Sequence, residues 1–268
     1  MKHPTGITQR LVTLTARLGY IAKGVVYILI GGLATMAAFD LGGQRGGASE
    51  AVTQLAGQPF GSLMLIALTI GLLCYTLWRW IQALFDADDK GHSLKGLCVR
   101  IGYVISGSIY GMLGYRCIEL LMLSGSGGNS TASSRTATLM SHTGGQIAVA
   151  LVGVVFFCVG LRQFQRAIKQ HYRKSWRTHR MPQHQLAIAD TVARWGLCAR
   201  GVVFAIIGGF LGIASWTANP DQAKGLGGAL VTLAQQPFGP ALLIVVALGL
   251  LAYGLYCFVN ARYRDTQA

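Results

Sequence analysis

Arg17-Leu18-Gly19-Tyr20, followed by Gly24 and Gly31, returns as Arg100-Ile101-Gly102-Tyr103 with Gly107 and Gly114, and again as Arg194-Trp195-Gly196-Leu197 with Gly201 and Gly208. In all three stretches the glycines stand two, seven and fourteen positions after the arginine, and Tyr27, Tyr110 and Phe204 hold the tenth position. Identical spacing in three places marks an internal repeat. Each stretch opens a long uncharged run of the length that crosses a bilayer as a helix.

A second segment repeats with the first. Gln58-Pro59-Phe60-Gly61 and Gln236-Pro237-Phe238-Gly239 each open a further apolar run, and Gly71 and Tyr75 match Gly249 and Tyr253 at the same offset. Upstream of them, residues 51–56 match residues 229–234, which predicts a short amphipathic helix at the outer membrane surface, ended by the X-Pro step. In the middle copy Thr143-Gly144-Gly145 replaces Pro-Phe-Gly, and residues 124–130 have the composition of a flexible linker.

Working outward, six apolar runs emerge at about 18–39, 60–84, 101–123, 145–167, 195–217 and 238–260. Each is near the roughly 20 residues that span about 30 Å of hydrocarbon. The chain has 268 residues, of which 12% are charged and 52% hydrophobic, with 36 glycines and a mean hydropathy of +0.47. Such a composition excludes an ordinary soluble domain, whereas membrane helices tolerate glycine because it lets backbones approach closely. No period-two alternation supports a barrel. The fold class is therefore all-α, with six transmembrane helices arranged as three tandem two-helix units. Units with an even number of spans share one orientation, so the simplest packing is a pseudo-threefold bundle, with a row of hairpins as the alternative.

The net charge of +14 lies between the spans and not on one soluble face, which argues against nucleic-acid binding. Nineteen basic residues, among them Lys23, Arg79, Arg166 and Arg200, fall at or beside the N-terminus, the second and fourth gaps and the tail. Only Arg45, Arg135 and Lys224 fall in the other three gaps. The positive-inside rule then puts both termini in the cytoplasm. The predicted organisation is a cytoplasmic segment 1–15, a first unit over 16–88, a second over 99–173, a basic cytoplasmic linker over 174–192 and a third unit over 193–264.

The Ala-Arg-x-Gly-Tyr start, the Lys/Arg-Gly-Val-Val-Tyr/Phe continuation (Lys23 to Tyr27, Arg200 to Phe204) and the Gln-Pro-Phe-Gly opening resemble the bacterial family called domain of unknown function 1206. The likeness runs from about residue 16 to 264 and is weakest in the middle copy. It implies a bacterial plasma-membrane protein of three two-helix repeats, and implies no activity.

Candidate functional residues are few. Gly24, Gly31, Gly107, Gly114, Gly201 and Gly208 recur every seven residues, drifting only about 20° per step, and so form helix-packing stripes. Arg17, Arg100 and Arg194 head those stripes. They either ring a central axis and hold an anion or, more simply, snorkel to lipid phosphates. Arg116 and Glu119 form a charged pair one turn apart in the third span, where the other copies carry Leu33 and Met36 or Phe210 and Ile213. A charge costs about 2.5–3.5 kcal/mol at a helix centre, so such a pair is a functional candidate. Trp78, Trp80, Trp195 and Trp216 read as interfacial anchors.

His171, His179 and His184 fit no compact metal-ligand set, and the six cysteines contain no CxxC, so neither a metal nor a cofactor is expected. The basic stretch from Lys169 to Arg180 is expected to be solvated or to meet anionic lipid. No GxSxG, HExxH or phosphate loop is present, and the expectation is that the chain is not an enzyme. The leading functional expectation is a small-solute or ion transport component. The alternative is a membrane scaffold that binds anionic lipid or a partner protein through its basic loops.

Overall fold

The computed structural model describes residues 6–41, 43, 46–86, 91, 93–122 and 143–264. Arg45, Arg135, Lys90, the linker over 124–130 and most of the N-terminal segment lie outside the described residues or have undescribed side chains. The described residues form eight α-helices: α1 (Gly6–Ala38), α2 (Ala48–Ala56), α3 (Gly61–Leu84), α4 (Leu94–Met122), α5 (Thr143–Ile168), α6 (Gln183–Trp216), α7 (Leu226–Ala234) and α8 (Gly239–Tyr263). Six of them, α1, α3, α4, α5, α6 and α8, are long and apolar enough to cross a membrane. In hydrocarbon a backbone must satisfy its own polar groups, which is why these runs are continuous helices.

The short helices α2 and α7 cover the repeated segments before α3 and α8. Each is followed by a phenylalanine in the left-handed region, Phe60 at φ 62° and Phe238 at φ 61°. The next residue is glycine in both copies because the chain doubles back tightly there: a Cβ on Gly61 or Gly239 would strike the carbonyl oxygen of Ala56 or Ala234.

The spans pack in chain order. α1 lies on α3, α3 on α4, α5 on α6, α6 on α8, and α8 returns to α1. Those are five of the six contacts of a pseudo-threefold ring. The sixth, α4 on α5 within the middle unit, is not among the substantial packing pairs. Among the described residues the ring is therefore open at one seam.

Side-chain volume explains the opening. In the first unit Gly71 lies against the Ala22 methyl, and in the third Gly249 lies against the Ala199 methyl. The corresponding middle residues are Val155 and Ile105, which are 45% and 41% exposed. Likewise a Cβ on Gly19 or Gly196 would come within 2.5 Å of the Tyr75 or Tyr253 Cα, whereas one on Gly102 would meet nothing within 4 Å. Two hairpins close backbone against backbone, and the third does not.

Between units the packing is close at all three places. Gly24 abuts the Gly254 carbonyl and the Phe258 ring, Gly201 abuts the Gly160 carbonyl and the Phe164 ring, and Gly107 meets Arg79 and Trp80. Gly31 and Gly208 press on the backbones of α8 and α5, while Gly114 has ordinary contact with Leu72 and Leu73.

The segment after α5 is not a simple solvated loop. Tyr172, Trp176 and Met181 are buried, Trp176 Nε1 donates to Asn260 Oδ1 at 3.2 Å, and the Arg177 amide donates to the Tyr263 carbonyl at 2.9 Å. Arg173 grips both carboxylate oxygens of the buried Asp190. The apolar residues fold the linker onto the ends of α6 and α8 and leave Lys174, His171 and His179 exposed. Trp176→Ala is expected to cost about 3–5 kcal/mol through lost burial and the cavity it leaves. The check is the temperature at which half the detergent-solubilised protein leaves the monodisperse gel-filtration peak; an unchanged value would show the clasp to be dispensable.

Candidate functional site

A basic residue also recurs one position before the first stripe glycine. Lys23 and Arg200 occupy that place in the first and third units, with Ser106 in the second. Residues four apart share a helix face, so these three look the same way as Tyr27, Phe204 and Tyr110. That face points into the ring.

Lys23 is 1% exposed although it lies within the first span, ten residues after its start at Thr13, or about 15 Å along the helix. Its Nζ donates to the Tyr75 hydroxyl at 2.9 Å and sits 4.8, 4.9 and 5.6 Å from the ring centroids of Tyr75, Tyr110 and Tyr253. Arg79, one turn after Tyr75, donates from Nε to the same hydroxyl at 2.7 Å and from Nη1 to Gln82 Oε1 at 2.9 Å. Ser106 Oγ stands 3.5 Å from that hydroxyl. Across the ring Arg200 Nη1 donates to the Tyr253 hydroxyl at 2.6 Å, and its guanidinium lies 4.8 Å from the Tyr253 centroid and 4.5 Å from that of Phe204. Arg79 and Arg200 are half-buried.

Tyr75 and Tyr253 thus join three cations into one cluster, to which α1, α3, α4, α6 and α8 all contribute. Edge-on ring contacts hold it together: Tyr27 with Tyr253 at 4.6 Å, Tyr75 with Tyr110 at 4.9 Å and Tyr20 with Tyr75 at 5.8 Å. The glycines of the closed hairpins set its dimensions, because Gly19 and Gly196 lie directly against the backbones of Tyr75 and Tyr253.

Among the described residues, the hydrogen bonds and ion pairs of Lys23, Arg79 and Arg200 include no carboxylate. Among the described residues Glu119 pairs with Arg116, Asp190 pairs with Arg173, and Glu50 accepts from the Gly47 amide. Asp86 accepts from the Gly91 amide, and neither Asp40 nor Asp221 is buried. The aromatic faces favour the cations by cation–π attraction but bring no net charge, and a guanidinium stays protonated whatever surrounds it. One Arg200 donor, Nε, is buried with no acceptor.

The sequence-predicted candidates fall elsewhere. Arg17 and Arg194 are exposed, and Arg100 donates to the Ala83 and Leu84 carbonyls at 2.6 and 3.1 Å, capping the end of α3. Among the described residues these three share no partner. Arg116 and Glu119 satisfy each other at 2.8 Å, with side chains 16% and 34% exposed. Trp78 is a core residue at 1% exposure and not an interfacial anchor, whereas Trp80, Trp195 and Trp216 are exposed. The described residues contain no group of three metal-ligating side chains.

The chain matches the family described as Domain of Unknown Function (DUF1206) three times, at residues 18–86, 101–170 and 195–264. An uncharacterized protein of Bacillus subtilis (strain 168), YxxB, is 35% identical over 248 residues, which cover 92% of this chain and 90% of that one. No solved structure matches.

Proposed function

The chain belongs to the DUF1206 family, a name that assigns no activity, and we propose from its geometry that it is a transport or permeation component for a small solute. The observation that supports this reading is the cation–tyrosine cluster inside a ring of membrane-spanning helices. An ionisable group at membrane depth is costly, and such groups commonly mark a solute or ion pathway. Five spans converge on this one, where Arg79 and Arg200 are half-buried. In this reading the protein sits in a bacterial plasma membrane with both termini in the cytoplasm, and the cluster lies in the cytoplasmic half. Exposed Arg162, Lys169, Lys174 and Arg262 then face anionic headgroups. No catalytic step is part of the proposal.

The test is water access along the ring interior. Tyr27→Cys, Tyr110→Cys and Phe204→Cys, each made on a cysteine-free background, are expected to react with a small charged thiol reagent in intact cells. If none reacts while loop cysteines do, the interior is dry and the transport reading fails.

The scaffold alternative makes a different prediction at Arg116. Arg116→Leu removes one member of a pair that only satisfies itself, at a position where the other units carry Leu33 and Phe210. Folding is expected to change by less than about 1 kcal/mol, with Glu119 able to turn toward water. Loss of solute uptake by the folded variant would place the pair on the pathway, and unchanged uptake would remove it.

A further inference from the structure

We infer that Lys23, Arg79 and Arg200 form a binding site for an oxyanion, a phosphate-, sulfate- or carboxylate-bearing group. The inference rests on the transport reading only in taking that group as the class of solute handled.

Two of the three positive groups cannot shed their charge, and the ion pairs found among the described residues engage none of the three. Like charges brought together in a medium of low dielectric repel one another, so the cluster is incomplete without an anion. What surrounds the cations is suited to receive one. Lys23 Nζ and Arg79 Nε both point at the oxygen of Tyr75, so that hydroxyl's own proton is directed elsewhere. The Tyr253 hydroxyl accepts from Arg200 at 2.6 Å and holds that guanidinium beside the site. Arg200 Nε adds a buried donor without an acceptor. Guanidinium forks match the paired oxygens of phosphate and carboxylate, and a spherical halide engages such a fork less fully. Tyrosine ring faces line the site, and the lower local dielectric they bring strengthens each charge-assisted bond.

An oxyanion here has two sources, a free solute or a lipid headgroup entering at the seam between α4 and α5. The experiment has an arm for each. The full chain, purified in neutral phosphate-free detergent, is titrated with inorganic phosphate, sulfate or acetate, with chloride at matched ionic strength as control, and thermal stability is read. A ligand that binds only the folded state raises Tm in a saturable way. Separately, the chain in phosphatidylglycerol or phosphatidylcholine nanodiscs is released into a mass spectrometer and retained lipid is weighed.

A saturable shift with at least one oxyanion, absent with chloride and weakened about tenfold or more in R79Q and R200Q, establishes a free-anion site. Retained phosphatidylglycerol that is lost in R200Q establishes the same chemistry with a lipid source. Arg200→Lys keeps the charge without the fork, and it decides the matter if R200Q does not fold: weaker binding supports the site and equal binding overturns it. Failure of folded wild type to respond in either arm, or an equal response to chloride, overturns the inference. Flux of labelled solute into proteoliposomes is scored independently. Binding without flux would retire the transport reading and keep the site, and flux of a neutral solute without anion binding would do the reverse.

Discussion

Gly196→Ala and Gly19→Ala each lower the stability of the folded protein by about 1–3 kcal/mol, while Gly102→Ala leaves it unchanged or slightly raised. The three residues hold the same place in the three units, so local helix propensity cannot distinguish them; alanine is favoured over glycine by about 1 kcal/mol in any helix interior. What differs is the neighbour. A methyl at position 196 would lie 2.5 Å from the Tyr253 Cα and amide nitrogen, and one at position 19 would lie 2.5 Å from the Tyr75 Cα. Backbone cannot rotate away as a side chain can, so the helices must part. Because the struck residue carries a hydroxyl of the cation cluster, the same substitution moves Tyr253 off Arg200 or Tyr75 off Lys23 and Arg79, and anion response falls with stability. At position 102 the methyl meets open space at the seam. Heating the three variants in detergent and comparing the monodisperse fraction decides it. If all three melt together, the middle hairpin is closed in the membrane and the open seam is not a property of the protein.

That contrast also marks where sequence reasoning reached and where it stopped. The three units, the six spans and the short helices before α3 and α8 were legible because glycine spacing and uncharged length are properties of the chain alone. The open seam was visible only as drift: Val155 stands where the closed units have Gly71 and Gly249, and Ile105 where they have Ala22 and Ala199. The cation cluster was hidden by charge counting. Lys23, Arg79 and Arg200 lie close enough to the ends of apolar runs to be scored as flanking residues, and the sum over a loop does not say which way a side chain points. The signal was the shared face of Lys23 with Tyr27 and Arg200 with Phe204, residues one helical turn apart, joined by Arg79 one turn after Tyr75. A residue meant to reach lipid phosphates has no reason to share a face with buried tyrosines. Arg17, Arg100 and Arg194 stand out in the sequence because they are identical in the three copies. Position six is more informative because it varies as lysine, serine and arginine around one interior.

The burial of three residues in the segment between the second and third units is hard to read from sequence for a related reason. Its cations dominate any compositional view, and they are mostly exposed. Tyr172, Trp176 and Met181 occur among them at spacings of four and five, and these residues decide the local structure. Asp190 holds Arg173 from the following helix, so one of the basic residues acts as a clasp. A segment can carry the charge of a lipid-facing loop and still be fixed by three apolar side chains.

Lys23→Met is expected to hold or raise thermal stability, by up to about 4 kcal/mol, while abolishing or strongly weakening the anion response. Methionine fills nearly the same volume as the lysine stem and bends to fit, so packing against Tyr110 and Tyr253 is retained. The Tyr75 hydroxyl keeps its bond from Arg79 Nε. What disappears is an amine held at 1% exposure, with no ion pair to it found among the described residues. Replacing buried charged groups with apolar residues of similar volume is often neutral or stabilising by about 1–4 kcal/mol. A residue kept for packing would behave the other way, since its loss would lower Tm. The paired readout therefore separates structure from function at a single position. A Lys23→Met protein that is less stable than wild type makes the lysine a structural post and its cation–tyrosine contacts a source of folding energy. One that is equally or more stable, with anion response lost, shows that the ring accepts a strained charge at its centre because the anion needs it there.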